Sequence, residues 1–155
     1  FPLLDLATHL QANAAKVGVD LQIQAAAGSQ VYGQMRSRNF DIGVFRWTAG
    51  SPDANSMLSR HAFNADNSQS ANLIMFPAWR TSWDTSAYNE VVEALRLEQD
   101  EEVRREAYMA IQRRHMQESP MIYMFQQVRG MAFGPSMTGA DQNAFRLYYT
   151  SFTKG

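Results

Sequence analysis

The sequence predicts an α/β protein. Two observations support this: helical and strand-like apolar patterns alternate within the first 47 residues, and short apolar runs recur near the C-terminal end. A chain of 155 residues corresponds to about one domain with its own core. Helix, strand, helix and strand within about 45 residues are typical of an α/β unit with right-handed crossovers.

The first helix and strand are predicted by a change of apolar period. Apolar residues recur every three or four positions from Leu3 to Val17, which predicts an amphipathic helix that ends at a left-handed Gly18. Residues 19–24 then alternate apolar and polar side chains, which predicts a strand.

A second helix and strand repeat this order. Ser29 is the predicted N-cap of a short helix that ends at the charged turn 36–39, and residues 41–47 (DIGVFRW) form the next predicted strand. The composition of residues 48–53 predicts a loop, followed by a short helix over 54–61. Loops after strand ends are where open α/β sheets bind ligands.

The rest of the chain is predicted to hold one insertion, two helices and two strands. Residues 63–72 are polar and rich in turn formers, which predicts an exposed, mobile insertion. Helices are predicted from about 84–86 to 97 and from Asp100 to just before Pro120, the second with Val103, Ala107, Ala110 and Ile111 facing inward. Residues 121–128 and 131–133 are predicted strands, and the aromatic segment 145–152 needs a partner surface.

Composition excludes several function classes. The 14 Lys and Arg nearly balance the 15 Asp and Glu, so the basic surface that nucleic acid requires is not expected. Without cysteine there is no disulfide, thiolate metal site or cysteine nucleophile. No apolar run approaches the roughly 18 residues of a membrane span. The chain begins at Phe1, which we interpret as a processed or cut piece, with any export signal upstream.

Enzyme chemistry has weak support in this sequence. Ser59, His61 and Asp66 have the residue types of a hydrolase catalytic triad, but the sequence contains no G-x-S-x-G nucleophile elbow. The histidines lack zinc-binding spacing, and no glycine-rich phosphate loop is present. No metal, cofactor or catalytic residue is therefore predicted, and a hydrolase or metal-dependent enzyme remains the alternative.

Two tryptophan-containing segments fall in predicted loops, Arg46-Trp47 after a strand and 78–83 (AWRTSW) before a helix. An indole beside a guanidinium offers an apolar surface and a fork for a carboxylate, which suits a small polar ligand. The excess of arginine fits such a site, although the Arg codon usage of GC-rich genomes is the preferred explanation. The alternative for Trp79 and Trp83 is that each ring closes the core.

Several short motifs together resemble one family of binding proteins. The order of 16–21 (KVGVDL), 39–42 (NFDI), the Trp47 loop with Pro52-Asp53, and Asp100, Arg105, Tyr108 and Ile111-Gln112 before Ser119-Pro120 resembles the family 5 extracellular solute-binding proteins. These are the dipeptide and oligopeptide receptors of bacterial ABC importers. The segment 78–83 resembles a branch of that family with an A-W-R-x-S-W signature.

The resemblance implies a fold and a function. The chain would be the C-terminal portion of a two-lobed, type II periplasmic-binding-protein-like fold, a mixed sheet flanked by helices and lacking its first strand. Residues 1–134 would form most of one lobe, and 135–155 would be a tail returning to the other lobe. The whole protein would work outside the cytoplasm, without enzymatic activity, capturing a small polar or peptide-like solute between its lobes and delivering it to permease subunits. An unpaired sheet edge would favour self-association of the piece.

The resemblance also implies which residues bind the ligand. The loop from Trp47 to Asp53 would face the cleft. In peptide receptors an aspartate at the place of Gly50 pairs with the ligand's amino terminus, so either Asp53 replaces it or the ligand lacks a free amine. Taken with the tryptophan segments, the predicted ligand-binding residues are Arg46, Trp47, Asp53, Trp79, Arg80 and Trp83. A domain that binds no small ligand and serves only in protein interaction is the remaining alternative.

Overall fold

The fold is mainly helical. A computed structural model of the chain describes residues 3–47, 51, 53–126, 132–138 and 153–154. Of the described residues, 49% are in helices and very few are in strands. The predicted α/β fold with a mixed sheet flanked by helices is therefore wrong, and so is the type II lobe built on that sheet.

Six α-helices, one 3-10 turn and two very short strands make up the described part of the chain. The helices are α1 (Leu3–Ala15), α2 (Gly28–Arg36), α3 (Asn55–His61), α4 (Pro77–Arg80), α5 (Ser86–Ala94) and α6 (Glu101–Glu118), with a 3-10 turn at Gln69–Ala71. Strands β1 (Met137–Thr138) and β2 (Thr153–Lys154) pair antiparallel, Met137 opposite Lys154.

The segments predicted as strands explain the error in fold class. Residues 19–24 and 41–47 and the described part of 121–128 belong to no strand. Alternating apolar and polar residues favour a backbone with one buried side, but a sheet needs ladder hydrogen bonds to a neighbouring strand, and the pattern does not specify that neighbour. Gln11 instead ties the first of these segments to α1, its side-chain amide donating to the Leu21 carbonyl.

The start and end of α1 and α2 follow local rules. Helix α1 ends as predicted: Gly18 takes φ +82°, and the Val19 amide donates back to the Ala14 carbonyl over 3.0 Å. Helix α2 is present, but its N-cap is Ala27, and the Ala27 amide donates to the Gln30 side chain over 3.3 Å. The prediction of Ser29 as N-cap is wrong, because Ser29 lies within the first helical turn.

The hydrophobic core lies where α3, α5 and α6 meet. Short helices bury little on their own, so most of their stability comes from packing such apolar faces together. Ala54, Phe63, Trp83 and Ala107 pack around this cluster, partly buried. The buried members are Leu58 and Ala62, Tyr88, Val92 and Leu95, and Tyr108 and Ile111.

Helix α6 begins after Asp100, as predicted, but it faces the core with different residues. The Asp100 carboxylate accepts from the amides of Glu102 and Val103 at 2.9 and 3.1 Å. Val103 is 49% exposed, and Ala110 is exposed as well, so the predicted inward face is wrong at both positions. The buried residues are Tyr108, Ile111 and His115, a stripe of helical spacing that includes two polar side chains.

The polar stretch 63–72 is more ordered than an exposed insertion. Most of it is exposed, but Asn64 is 4% exposed and donates to the Trp83 carbonyl over 3.0 Å and to the Asn67 side chain over 2.9 Å. The stretch is therefore anchored to the loop before α5 by hydrogen bonds.

Several predictions fall on residues outside the described ranges: the loop residues 48–50 and Pro52, the end of the 121–128 strand, Met131, and the aromatic segment 145–152. Within the described ranges, no helix combines the length and the apolar character needed to cross a membrane. The division into residues 1–134 and 135–155 stays a prediction.

Candidate functional site

Arg80 lies at the end of α4 and is held by the backbone before that helix. Pro77 occupies the first turn of α4, where its missing N–H costs nothing, and all four residues of the helix are buried. The Arg80 Nε donates to the Ile74 carbonyl over 2.7 Å. The side chain is only 3% exposed, and its Nη1 is buried without a hydrogen-bond partner in the described part of the chain.

Two aromatic rings flank the Arg80 guanidinium. Its carbon lies 5.8 Å from the Tyr32 ring centroid and 5.7 Å from the Trp47 ring centroid. Tyr32 comes from α2, and its hydroxyl donates to the Arg46 carbonyl over 3.3 Å, which links α2 to the extended segment that carries Trp47. We call Arg80 with these two rings the arginine site. Ring faces attract a guanidinium but cannot neutralise it.

The arginine site carries positive charge without a countercharge among the described residues. None of the four ion pairs formed by those residues includes Arg80. Burial lowers the pKa of Arg80, and the nearby cation Arg36 lowers it further. A guanidinium remains charged in proteins even so, and a buried charge is stable only when it is paired. The arrangement is therefore suited to an anionic group.

Trp79 lies beside Arg80 in sequence but belongs to a different cluster. It is 1% exposed, and its Nε1 donates to the Ser68 carbonyl over 3.0 Å. The Arg38 guanidinium covers its ring at 3.8 Å and donates to the backbone and side-chain oxygens of Asn67 at 2.9 and 3.0 Å. Trp79 thus packs α4 against the 63–72 stretch.

Asp53 is occupied by two partners. Its carboxylate accepts from Arg104 over 2.8 Å and from the Asn55 amide over 2.7 Å, and the Arg104 hydrogen bond is the main reason that its pKa is lowered. The pKa of Arg104 is raised, first by its hydrogen bond to Tyr108 and then by Asp53. Asp53 therefore links the start of α3 to α6.

Trp83 and Arg46 complete the six predicted ligand-binding residues. The Trp83 ring packs against Tyr88 at 5.3 Å and His115 at 5.0 Å, at the edge of the core. The Arg46 side chain is exposed beside Trp47. Of the six residues, the structure brings Trp47 and Arg80 together, with Arg46 adjacent; it places Asp53, Trp79 and Trp83 in other contacts.

The residues of the alternative hydrolase triad do not contact one another as a triad requires. The Nδ1 of His61 lies 2.8 Å from the Met57 carbonyl, where a catalytic histidine would face a carboxylate. Asp66 accepts from the Ser68 amide over 2.8 Å, which lowers its pKa. No hydrogen bond joins Ser59 to His61 in the described structure. The geometry offers no support for a hydrolase at these three residues.

A pocket outside the arginine site is lined by residues of which only His61 was considered as a site residue in the sequence, as a member of the alternative triad. It has a volume of about 340 Å³, and we call it the histidine pocket. His115 is 4% exposed; its Nε2 lies 2.8 Å from the Tyr123 hydroxyl and its Nδ1 is buried without a partner in the described residues. The lining residues are Ala54, Met57, Leu58, His61, Gln112, His115, Met116 and Tyr123.

Burial keeps the two histidines of this pocket neutral. It lowers the pKa of His115 to about 4 and lowers the pKa of His61, which is 3% exposed. The pKa of Tyr123 is raised to about 12 for the same reason, so its hydroxyl keeps its proton. This pocket was not predicted from the sequence, because His61 is far in the chain from His115 and Tyr123 and no spacing rule connects the three.

Neither a metal nor a cofactor is indicated by the described side chains. In the ranges given above, no three His, Asp or Glu residues are grouped so that they could hold a metal ion. Comparison of the chain with protein-family models, with curated proteins and with solved structures found no match. The resemblance to solute-binding proteins therefore rests on the short motifs quoted above.

Proposed function

We propose that this chain is part of a solute-binding protein, and that Arg80 binds an anionic group of the solute between Tyr32 and Trp47. The observation that carries the proposal is a buried guanidinium with a free Nη1 and no carboxylate partner among the described residues. Leaving such a donor unsatisfied costs about 1–3 kcal/mol, and a carboxylate that arrives with the ligand would remove that cost.

The geometry supports a carboxylate in particular. The Arg80 Nε donates to the Ile74 carbonyl over 2.7 Å, which orients the guanidinium plane, and its Nη1 has no partner among the described residues. Tyr32 and Trp47 are only half-buried, so both rings are partly open to solvent beside Arg80. An indole and a phenol ring at this distance would also cover the apolar part of a small solute.

The broader role as a receptor of an ABC importer rests on the motif resemblance. Under it, the protein is not an enzyme, works in the periplasm or another extracytoplasmic space, and passes its solute to permease subunits. The proposal does not depend on the mixed sheet, because the arginine site is built from α2, α4 and the segment 41–47. The missing aspartate at Gly50 favours solutes without a free amine.

Isothermal titration calorimetry with matched ligands tests the proposal. We expect an N-acetyl dipeptide with a free carboxylate to bind wild type, and its methyl ester to bind at least tenfold more weakly. Arg80→Gln should weaken binding of the acid by about 1–3 kcal/mol and remove the preference for it. Trp47→Ala should weaken both ligands.

Arg113→Gln is the matched control, since Arg113 is an exposed arginine on α6, far from this site in sequence. Equal binding of acid and ester to wild type, or an equal loss in R113Q and R80Q, contradicts the proposal. If the purified chain turns over generic ester or phosphate substrates, the proposal that the protein is not an enzyme is contradicted. The hydrolase alternative would then be favoured.

A further inference from the structure

The histidine pocket differs from the arginine site in charge and in lining. Its walls are mainly apolar, with Met57, Leu58 and Met116 around two histidines and one tyrosine. Among the described residues, no carboxylate and no charged side chain lines it. Because burial keeps both imidazoles neutral, the pocket presents hydrogen-bonding groups without net charge.

The size of the pocket fits a single or fused aromatic ring. Its volume of about 340 Å³ lies at the lower end of the range for small-molecule sites. A dry cavity of roughly 150 Å³ is enough to hold benzene, so this pocket accepts a somewhat larger ring system. The thioethers of Met57 and Met116 are well suited to such a guest, since methionine sulfur contacts aromatic rings favourably.

The hydrogen bond of His61 determines which of its nitrogens is left for a ligand. A backbone carbonyl only accepts, so the contact of 2.8 Å between His61 Nδ1 and the Met57 oxygen places the proton on Nδ1. The Nε2 of His61 is then an acceptor. It has no hydrogen-bond partner among the described residues, and it can accept from a hydroxyl or ring N–H of a ligand.

His115 adds a second imidazole to the lining of the pocket. Its Nδ1 is buried and has no partner in the described part of the chain, although the ring is fixed by Tyr123 at 2.8 Å and by the edge of Trp83 at 5.0 Å between ring centroids. Buried polar atoms in folded proteins nearly always have a partner, so this nitrogen is an exception beside the pocket.

We propose that the histidine pocket binds a small uncharged aromatic molecule that carries one hydroxyl or ring N–H, such as a phenol or an indole. The ring lies between the two methionines, and its donor group bonds to the Nε2 of His61. This site is separate from the solute site at Arg80, although Trp47 contacts both, lying 5.1 Å from His61 and 5.7 Å from the Arg80 guanidinium.

Calorimetry with three probes tests this inference on the whole chain. We expect wild type to bind phenol at least tenfold more tightly than benzene, which lacks the donor, and to bind benzoate more weakly than phenol. His61→Phe keeps an aromatic ring but removes the acceptor, so phenol should lose at least tenfold in affinity while benzene binding stays within a factor of two.

Met109→Ala is the matched control, because Met109 lies on α6 in a neighbouring shallow pocket and not in the histidine pocket. Circular dichroism confirms that each variant is folded. If His61→Phe does not fold, the exposed-rim variant Met116→Ala replaces it and should weaken both phenol and benzene. No phenol binding to wild type, or equal phenol affinity in wild type and the variant used, overturns the inference.

The two proposals fail separately. Arg80→Gln should leave phenol binding unchanged, and His61→Phe should leave the preference of the arginine site for the dipeptide acid over its ester unchanged. Loss of phenol binding in R80Q would mean that the two sites are one, which contradicts the inference of a second site.

Discussion

Two arginines lie against tryptophan rings in this protein, and their hydrogen bonds give them different roles. Arg38 uses both terminal nitrogens to bind Asn67 while it covers Trp79 at 3.8 Å. Arg80 uses only its Nε within the described structure, 5.7 Å from the Trp47 ring. Arg38 therefore stabilises the fold, whereas the Nη1 of Arg80 has no hydrogen-bond partner among the described residues.

At the residue scale, His115 should make stability depend on pH. Its pKa is about 4 in the folded protein and near the ordinary 6.5 in the unfolded chain. Between these values the unfolded chain binds the proton and the folded protein does not, so stability falls as pH drops from about 6.5 towards 4. The loss should be of the order of 1–3 kcal/mol, and burial of His61 adds to it in the same direction.

Urea unfolding at pH 7 and pH 5, followed by far-UV circular dichroism, measures this effect. His115→Gln removes the titrating group and should reduce the difference between the two pH values. His9→Gln is the control, because His9 is exposed on α1. A pH difference that is as large in H115Q as in wild type contradicts the assignment to His115.

At the element scale, local signals placed the helices well. Helix α1 is followed by a left-handed Gly18, α6 begins after Asp100, and the short helix predicted over 54–61 is present as α3. These signals act within a few residues, so they are visible in sequence. The segments predicted as strands were placed less well. The neighbouring strand with which each would form hydrogen bonds has to come from a distant part of the chain.

The Asp100 cap should contribute measurably to stability. Its carboxylate accepts from two amides of the first turn of α6, whose Tyr108 and Ile111 belong to the core. Asp100→Ala should lower the free energy of unfolding by about 1 kcal/mol, and Asp100→Asn should restore most of it because asparagine is an equally good cap. Urea denaturation measures both, and a D100A variant as stable as wild type would show that the cap is dispensable.

At the scale of the whole molecule, exposed apolar side chains in the segment 121–126, which has no regular secondary structure, should promote association. Ile122 is 88% exposed and Met124 is 50% exposed, and this part of the chain forms no strand with the described residues. Exposed apolar segments whose backbone groups are unpaired in a sheet readily associate with the same segment of a second copy of the chain. We expect sedimentation velocity to show mass that rises with protein concentration.

Ile122→Asp should shift this association to severalfold higher concentration. Leu97→Asp is the matched control: Leu97 is 82% exposed but lies in the turn after α5, outside this segment. If I122D and L97D change association to the same extent, surface charge and not the segment 121–126 is responsible.

The sequence by itself determined most of the helices and the balance of charge, because each depends on neighbours in the chain or on composition alone. It missed α4, which falls in a predicted loop, and it placed the α2 cap at Ser29 instead of Ala27. It also singled out Trp47 and Arg80, which the structure places together. Tertiary structure alone decided that no mixed sheet forms among the described residues, that Trp79 is buried under Arg38, and that His61 and His115 share a pocket. These outcomes depend on contacts between residues distant in sequence, which neither periodicity nor spacing encodes.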